Sequence, residues 1–145
     1  MGAPYFYGGI IMIVLSNTTA QTLQPGQAIT FNSVILHSGC GECHRQNTSS
    51  VKMRANGIYD VRFAGNIGGA TAATAVQLSM QIGGATLPET TMISVPAAAN
   101  DLNNVATFTA IKNTCGDYDR VTVVNTGTEP VIVGANSVFM IRRVA

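Results

Sequence analysis

Three residues within five positions have the types and spacing to hold a cofactor. Cys40, Cys43 and His44 form the pattern Cys-x-x-Cys-His, through which c-type haem is attached by two thioether bonds and one axial imidazole. A haem also needs a large apolar pocket and an exported chain. The flanking sequence is strand-like, and no signal peptide is recognisable before it. We therefore expect no haem.

The same cysteines suit two other kinds of site. The first is a structural zinc site. His37 lies three positions before Cys40. Together with Cys40, Cys43 and His44 it would supply two thiolates and two imidazoles, a set of four ligands suited to tetrahedral zinc. Alternatively, Cys40 or Cys43 forms a disulfide with Cys115, or the thiols stay reduced. These alternatives remain open at the level of the sequence.

Catalytic chemistry has little support in the sequence. A nucleophilic Cys–His pair needs a third, orienting group, and a redox Cys-x-x-Cys normally opens a helix in a βαβ unit. Neither context is recognisable here, and no glycine-rich phosphate loop lies between a strand and a helix. We therefore expect that the chain is not an enzyme.

Composition indicates a protein whose surface is covered by partners. The chain has 145 residues, enough for one domain, and a net charge of +1. Charged residues make up 10% and hydrophobic residues 46%, against about 25% charged residues in an average soluble domain. The lack of basic clusters, the absence of Trp and an aromatic content of 6% disfavour nucleic acid as a partner.

Hydrophobic periodicity predicts an all-β domain. Residues 76–82 alternate apolar and polar side chains, which is the period of a half-buried strand, and Gly83-Gly84 then suits a tight hairpin. No helical stripe is sustained elsewhere. Many short strands separated by turn signals predict a two-sheet antiparallel jelly-roll sandwich. The other predicted strands are Ile10–Leu15, Ala28–His37, Ile58–Phe63, Ala85–Leu87, Met92–Val95, Val105–Lys112, Arg120–Asn125, Val131–Val133 and Val138–Val144.

The first nine residues differ in character from the domain predicted over residues 10–145. Pro4 and several glycines indicate an arm, and Tyr5, Phe6 and Tyr7 make it apolar. We expect this arm to anchor the chain to a neighbouring molecule. The longest apolar run nearby, Ile10–Leu15, is far shorter than the roughly 20 residues of a transmembrane helix, so no membrane span is expected.

One strand carries a family resemblance. Gly57, Tyr59, Val61 and Phe63 lie in the segment Asn-Gly-Ile-Tyr-Asp-Val-Arg-Phe, which resembles the Gly-x-Tyr-x-Val-x-Phe strand of the complement C1q and tumour-necrosis-factor-like jelly rolls. Alternation turns the last three of these side chains into the sandwich, while Asp60 and its neighbour Arg62 face away. The resemblance is greatest to the C-terminal heads of collagen-like glycoproteins on bacterial spores and to related phage-encoded domains.

The resemblance implies a homotrimer around a threefold axis, in a family whose members bind ligands or display surfaces. The leading hypothesis is a non-enzymatic structural or adhesion protein on a particle surface, as a phage or prophage virion component that contacts a host receptor or glycan. The alternatives are a ligand-binding head on a spore or cell surface and, third, a small metal-binding protein that uses the loop at Cys40. The motif of this loop and the lack of a Gly-X-Y collagen stalk are two departures from the family pattern.

Overall fold

The regular secondary structure of the described residues consists almost entirely of antiparallel strands. The computed structural model describes residues 11–39, 48–53, 56–114 and 120–145. The predicted all-β class is confirmed: within these ranges the helical structure is one 3-10 turn at Pro88–Thr90. The strands are β1 (Met12–Ser16), β2 (Gln21–Leu23), β3 (Ser33–Ser38), β4 (Val51–Lys52), β5 (Gly57–Gly68), β6 (Val76–Ile82), β7 (Ala85–Thr86), β8 (Met92–Ser94), β9 (Leu102–Asn113), β10 (Arg120–Asn125), β11 (Val131–Val133) and β12 (Val138–Arg143).

The described strands form two sheets. In the seven-stranded sheet, the long strand β5 pairs with β9 along one edge and with β12 and β11 along the other. β12 continues to β1 and then to β3, while β11 continues to β2. In the five-stranded sheet, β10 lies between β4 and β6, and β6 pairs with both β7 and β8. This is the predicted two-sheet jelly-roll sandwich.

Alternating side chains build the core between the two sheets. On β5, Tyr59, Val61 and Phe63 are buried, as the period of two predicts. Val76, Leu78 and Met80 line the facing side of β6. Within the core the rings of Phe31 and Phe139 stack with centroids 5.2 Å apart. The apolar faces of both sheets are thereby removed from water, which is the main favourable contribution to folding.

The strand pattern differs from the prediction in several places: β5 ends at Gly68 rather than Phe63, β9 begins at Leu102 rather than Val105, one predicted strand is divided, and two short strands are additional. The segment Ala28–His37, predicted as one strand, divides between the sheets: Ala28 bridges to Val124 of β10, whereas β3 pairs with β1. The chain crosses from one sheet to the other within this segment, so a continuous apolar run contains two pairings. The short strands β2 and β4 were not predicted, because three or two residues are too few for a periodic signal.

No helix in the described part of the chain is long and apolar enough to span a membrane.

Candidate functional site

The side of the seven-stranded sheet that faces away from the core is unusually apolar. Because Tyr59, Val61 and Phe63 face inward, the residues between them face outward. The registers of β1, β12 and β9 extend the same surface across the sheet. We call this surface the outer face, and it consists of Met12, Val14, Ile58, Asp60, Arg62, Ala64, Ala106, Phe108, Ala110, Val138, Met140 and Arg142.

Strand register places four of these side chains in one row. Val14 lies opposite Met140. Met140 lies opposite Arg62, and Arg62 lies opposite Phe108. Neighbouring strands are about 4.8 Å apart, so directly opposed side chains contact each other. Phe108 at the end of this row is 69% exposed, which is a large apolar area to leave in water.

A groove lies beside this row. In the next row, Val138 on β12 lies opposite Ala64, and Ala64 lies opposite Ala106. The two alanines form a low floor between the larger side chains Phe108 and Met140. The result is a mostly apolar groove of about 480 Å³, a volume within the range of small-ligand pockets and larger than one aromatic side chain.

Three charges lie within the outer face and hold one another in place. The Asp60 carboxylate accepts hydrogen bonds from Arg62 and Arg142, each at 3.2 Å. The Arg62 guanidinium also lies 5.5 Å from the centroid of the Phe108 ring, in a cation–π contact. Two guanidiniums and one carboxylate leave a net charge of +1 on this network.

The outer face has the chemistry of a contact surface. Ile58 and Val138 are also exposed, at 41% and 40%, so the apolar area extends over both sides of the charged network. Contiguous apolar patches with a few fixed polar groups are typical of protein–protein interfaces. We therefore regard the outer face as the candidate functional site.

The sequence-predicted site residues fall partly outside the described residues. His37 is described and lies exposed on β3, opposite Ile13. Cys40, Cys43, His44 and Cys115 lie outside the described residues, so the zinc and disulfide alternatives stay predictions. Within the described ranges, His, Cys, Asp and Glu form no group of three suited to a metal ion. The arm residues Tyr5, Phe6 and Tyr7 also lie outside the described part.

Sequence reasoning did not identify the outer face as a site. Alternation did indicate that Asp60 and Arg62 face away from the core. The partners of these residues, Arg142 and Phe108, are 82 and 46 positions further along the chain, and only strand register brings the four side chains together. The sequence of β9 did contain a signal. Apolar residues occur at both its odd-numbered and its even-numbered positions, and because these positions point to opposite sides of the sheet, some apolar side chains had to face away from the core.

Comparisons in sequence and in structure give different results. No family model matches the chain, and no curated protein matches it in sequence. The fold is similar to that of the globular domain of zebrafish complement 1qA, with a TM-score of 0.70 and 12% identity over 93% of this chain and 98% of that one.

Two further solved structures are similar to the same extent. Eiger TNF from S. frugiperda has a TM-score of 0.71 and 13% identity over 94% of each chain. Murine APRIL at pH 5.0 has a TM-score of 0.69 and 11% identity, over 93% of this chain and 99% of that chain. This chain therefore has the C1q/TNF-like jelly-roll fold that the strand around Tyr59 indicated.

Proposed function

We propose that this chain is a non-enzymatic structural or adhesion protein that assembles as a homotrimer through its outer face and is displayed on a particle surface, as a component of a phage or prophage virion. The observation that carries the self-association is the exposed side chain of Phe108, together with the apolar groove beside it. Burying such a surface removes apolar area from water at about 25 cal/mol per Å².

The polar groups of the outer face are compatible with burial in an interface. The negative charge of Asp60 already neutralises the charge of one of the two guanidiniums that it contacts within the same chain. A charge that enters an interface with its partner in place avoids most of the penalty for an unpaired buried ion. The groove over Ala64 and Ala106 can accept a large apolar side chain from a second copy.

Closed symmetry and the family resemblance favour three copies. Copies that contact through two different patches form a ring when the rotation closes. The C1q/TNF-like resemblance implies that this ring is a trimer. The low charge content of 10% fits a chain whose surface is shared with partner subunits.

The placement on a particle rests on analogy, because a fold by itself does not fix a function. Two features support it: the resemblance to phage-encoded and spore-surface heads, and the apolar arm that contains Tyr5, Phe6 and Tyr7. In this proposal the arm contacts a neighbouring molecule of the particle, and the exposed remainder of the domain is available to a receptor or glycan.

Native mass spectrometry of the full chain tests the assembly. We expect a mass of three chains, and a monomer would contradict the proposal. Ala106→Arg places a long charged side chain in the groove and should yield monomers. Ala85→Arg is the matched control, because Ala85 is likewise exposed on a strand but belongs to the other sheet. Equal effects of the two variants would also contradict the assignment of the interface to the outer face.

Immunogold labelling tests the location. Antibodies against the purified protein should label particles released by the cells that carry the gene. Label confined to the surface of cells or spores would contradict the virion assignment and favour the ligand-binding head.

A further inference from the structure

A second groove lies beside β2, which β5 and β11 separate from β9 in the seven-stranded sheet. We call it the side groove. Its volume is about 400 Å³, within the range of small-ligand pockets. Three threonines, two glutamines, one asparagine, one leucine and one alanine line it. No charged side chain of the described residues is among them, and none of them belongs to the outer face.

The side groove exists because the two arms of a hairpin separate. Residues 24–27 form a turn, in which the N–H of Gln27 donates to the carbonyl oxygen of Gln24 at 2.9 Å. The arm before the turn is β2, which pairs with β11 in the seven-stranded sheet. In the arm after the turn, Ala28 bridges to Val124 of β10 in the other sheet. The arms thus join different sheets, and residues of both arms line the groove.

The side chain of Gln21 connects the two arms across the groove. Counting back from the turn, Gln21 and Thr30 are the residues that would lie opposite each other in a regular hairpin. Here the Gln21 amide reaches the backbone of Thr30: its Nε2 donates to the carbonyl oxygen, and its Oε1 accepts from the N–H at 2.9 Å. A side-chain amide therefore takes the place of a direct backbone pairing, and the arms stay apart.

Side chains in the groove present hydrogen-bonding groups that a ligand can reach. The amide oxygen of Gln27 accepts from the N–H of Gln24 at 2.7 Å, so the NH₂ group of Gln27 remains as a donor. Thr19 and Thr22 are exposed, and their hydroxyls both donate and accept. The groove therefore offers donors and acceptors without a formal charge.

The backbone of Ala28 adds one donor and one acceptor. The N–H of Ile29 donates to the carbonyl oxygen of Val123, and the carbonyl oxygen of Gln27 accepts from the N–H of Asn125, each at 2.9 Å. Successive residues of a strand direct their backbone groups to opposite edges. The N–H and the carbonyl oxygen of Ala28 therefore point away from β10, to the side of the groove.

This set of groups fits an uncharged ligand that carries several hydroxyls. A charged ligand would lose part of its hydration without meeting an opposite charge in the groove. An apolar ligand would cover the donors and acceptors without replacing their hydrogen bonds to water. A hydroxyl both donates and accepts, so a sugar ring can bond to hydroxyl, amide and backbone groups together.

We propose that the side groove binds an uncharged sugar unit of a glycan. Gln27, Thr19 and Thr22 contact the sugar hydroxyls, and Gln21 keeps the two arms apart. This inference rests on the proposed role as an adhesion protein and makes it more specific, because it assigns the chemistry of the receptor to one site. A homotrimer presents three such grooves, so weak single contacts add up on a surface that carries many glycans.

Binding of the labelled full chain to a glycan array tests the ligand class. The array carries uncharged oligosaccharides that end in glucose, galactose or N-acetylglucosamine, anionic glycans with sialic acid or sulfate, and an uncharged peptide blocked at both ends. We expect binding to at least one of the uncharged oligosaccharides. Binding to the anionic glycans alone, to the peptide alone, or to nothing would each overturn the proposal.

A matched pair of substitutions tests the site, with the dissociation constant of the array-selected oligosaccharide measured by isothermal titration calorimetry. Gln27→Glu keeps an oxygen that accepts from the N–H of Gln24 but removes the NH₂ donor, and should weaken binding about tenfold. Gln24→Glu adds the same charge to the same turn, but Gln24 does not line the groove, so binding should stay unchanged. Equal effects of both variants would overturn the assignment to the side groove.

Native mass spectrometry of the same samples separates this proposal from the proposed self-association. Trimers that bind none of the uncharged oligosaccharides would overturn the glycan site alone. Monomers that bind the oligosaccharide, with the expected loss in Gln27→Glu, would support the site and contradict the self-association.

Discussion

The guanidinium of Arg62 lies 5.5 Å from the centroid of the Phe108 ring. Arg62 is also hydrogen-bonded to Asp60 at 3.2 Å. Phe108 makes this contact although it is 69% exposed. An anchor that is ordered before association loses less conformational entropy when it binds.

Replacing this anchor should weaken assembly without unfolding the chain. Burial of a Phe side chain is worth about 1.5–3 kcal/mol, so Phe108→Ser should lower the association constant about tenfold to hundredfold. Sedimentation equilibrium measures this constant. Ile93→Ser removes an exposed apolar side chain from the other sheet and is the control. The same loss in both variants would show that general surface hydrophobicity, rather than the Phe108 contact, drives association.

The carboxylate of Asp60 should contribute more to the free energy of association than to the free energy of unfolding of the single chain. Arg62 and Arg142 are 58% and 45% exposed, so Asp60→Asn should change the free energy of unfolding of the single chain by at most about 1 kcal/mol. In an interface the same change leaves two buried guanidiniums without a carboxylate, at a cost of about 3 kcal/mol or more. The association constant should therefore fall about hundredfold.

Comparing urea denaturation at low concentration with sedimentation at high concentration separates the two effects of Asp60→Asn. Asp101→Asn is the control, because Asp101 is exposed and lies outside the outer face. A large loss of single-chain stability with unchanged association would contradict the role assigned to Asp60.

The buried side chain of Asn17 joins two connections at one end of the seven-stranded sheet. Its amide nitrogen donates to the carbonyl oxygens of Thr19 and Gly134, each at 3.0 Å. Its amide oxygen accepts from the backbone N–H of Ser137 at 3.1 Å and from the Ser137 hydroxyl. The side chain thus ties the β1–β2 connection to the β11–β12 connection with both its donor and its acceptor.

Loss of this amide should destabilise the fold. Asn17→Ala leaves several buried polar groups without their partner, and each such group costs about 1–3 kcal/mol. We expect a total loss of about 2–4 kcal/mol in the free energy of unfolding, measured by urea denaturation. Asn104→Ala on exposed β9 should cost less than about 0.5 kcal/mol. A similar loss in both variants would mean that the Asn17 contacts do not stabilise the domain.

Local patterns predicted the fold well because they report burial along one strand. The predicted bounds of the strands at residues 76–82, 120–125 and 131–133 agree with the structure, since each is flanked by clear turn residues. The alternation around Tyr59 likewise predicted which side chains enter the core.

The candidate site depends on relationships that no local pattern contains. Phe108 reads as one more apolar residue in a strand, and its exposure follows from the pairing of β9 with β5 at the edge of the sheet. Asn17 cannot be distinguished by type from the many other asparagines. Cys40 and Cys43 are the opposite case, because their compact motif is visible in the sequence without its three-dimensional setting.

The glycine at the start of β5 should tolerate no side chain. Gly57 has φ of +145°, and a Cβ atom there would overlap the carbonyl oxygen of Ala145 and lie 2.5 Å from Nε of Arg143. That carbonyl accepts a hydrogen bond from the N–H of Ile58, so a side chain at position 57 would push the end of the chain away from β5. Gly57→Ala should therefore cost more than the roughly 1–3 kcal/mol of backbone strain alone.

Gly26→Ala is the matched control for this prediction. Gly26 also has a positive φ, of +88°, but a Cβ atom there would meet nothing within 4 Å. The control variant should lose only the strain contribution, and the difference between the two unfolding free energies isolates the collision with Arg143 and Ala145. Equal losses would show that the end of the chain can move away from β5 without a loss in the free energy of unfolding. Gly57 would then be required for its backbone conformation alone.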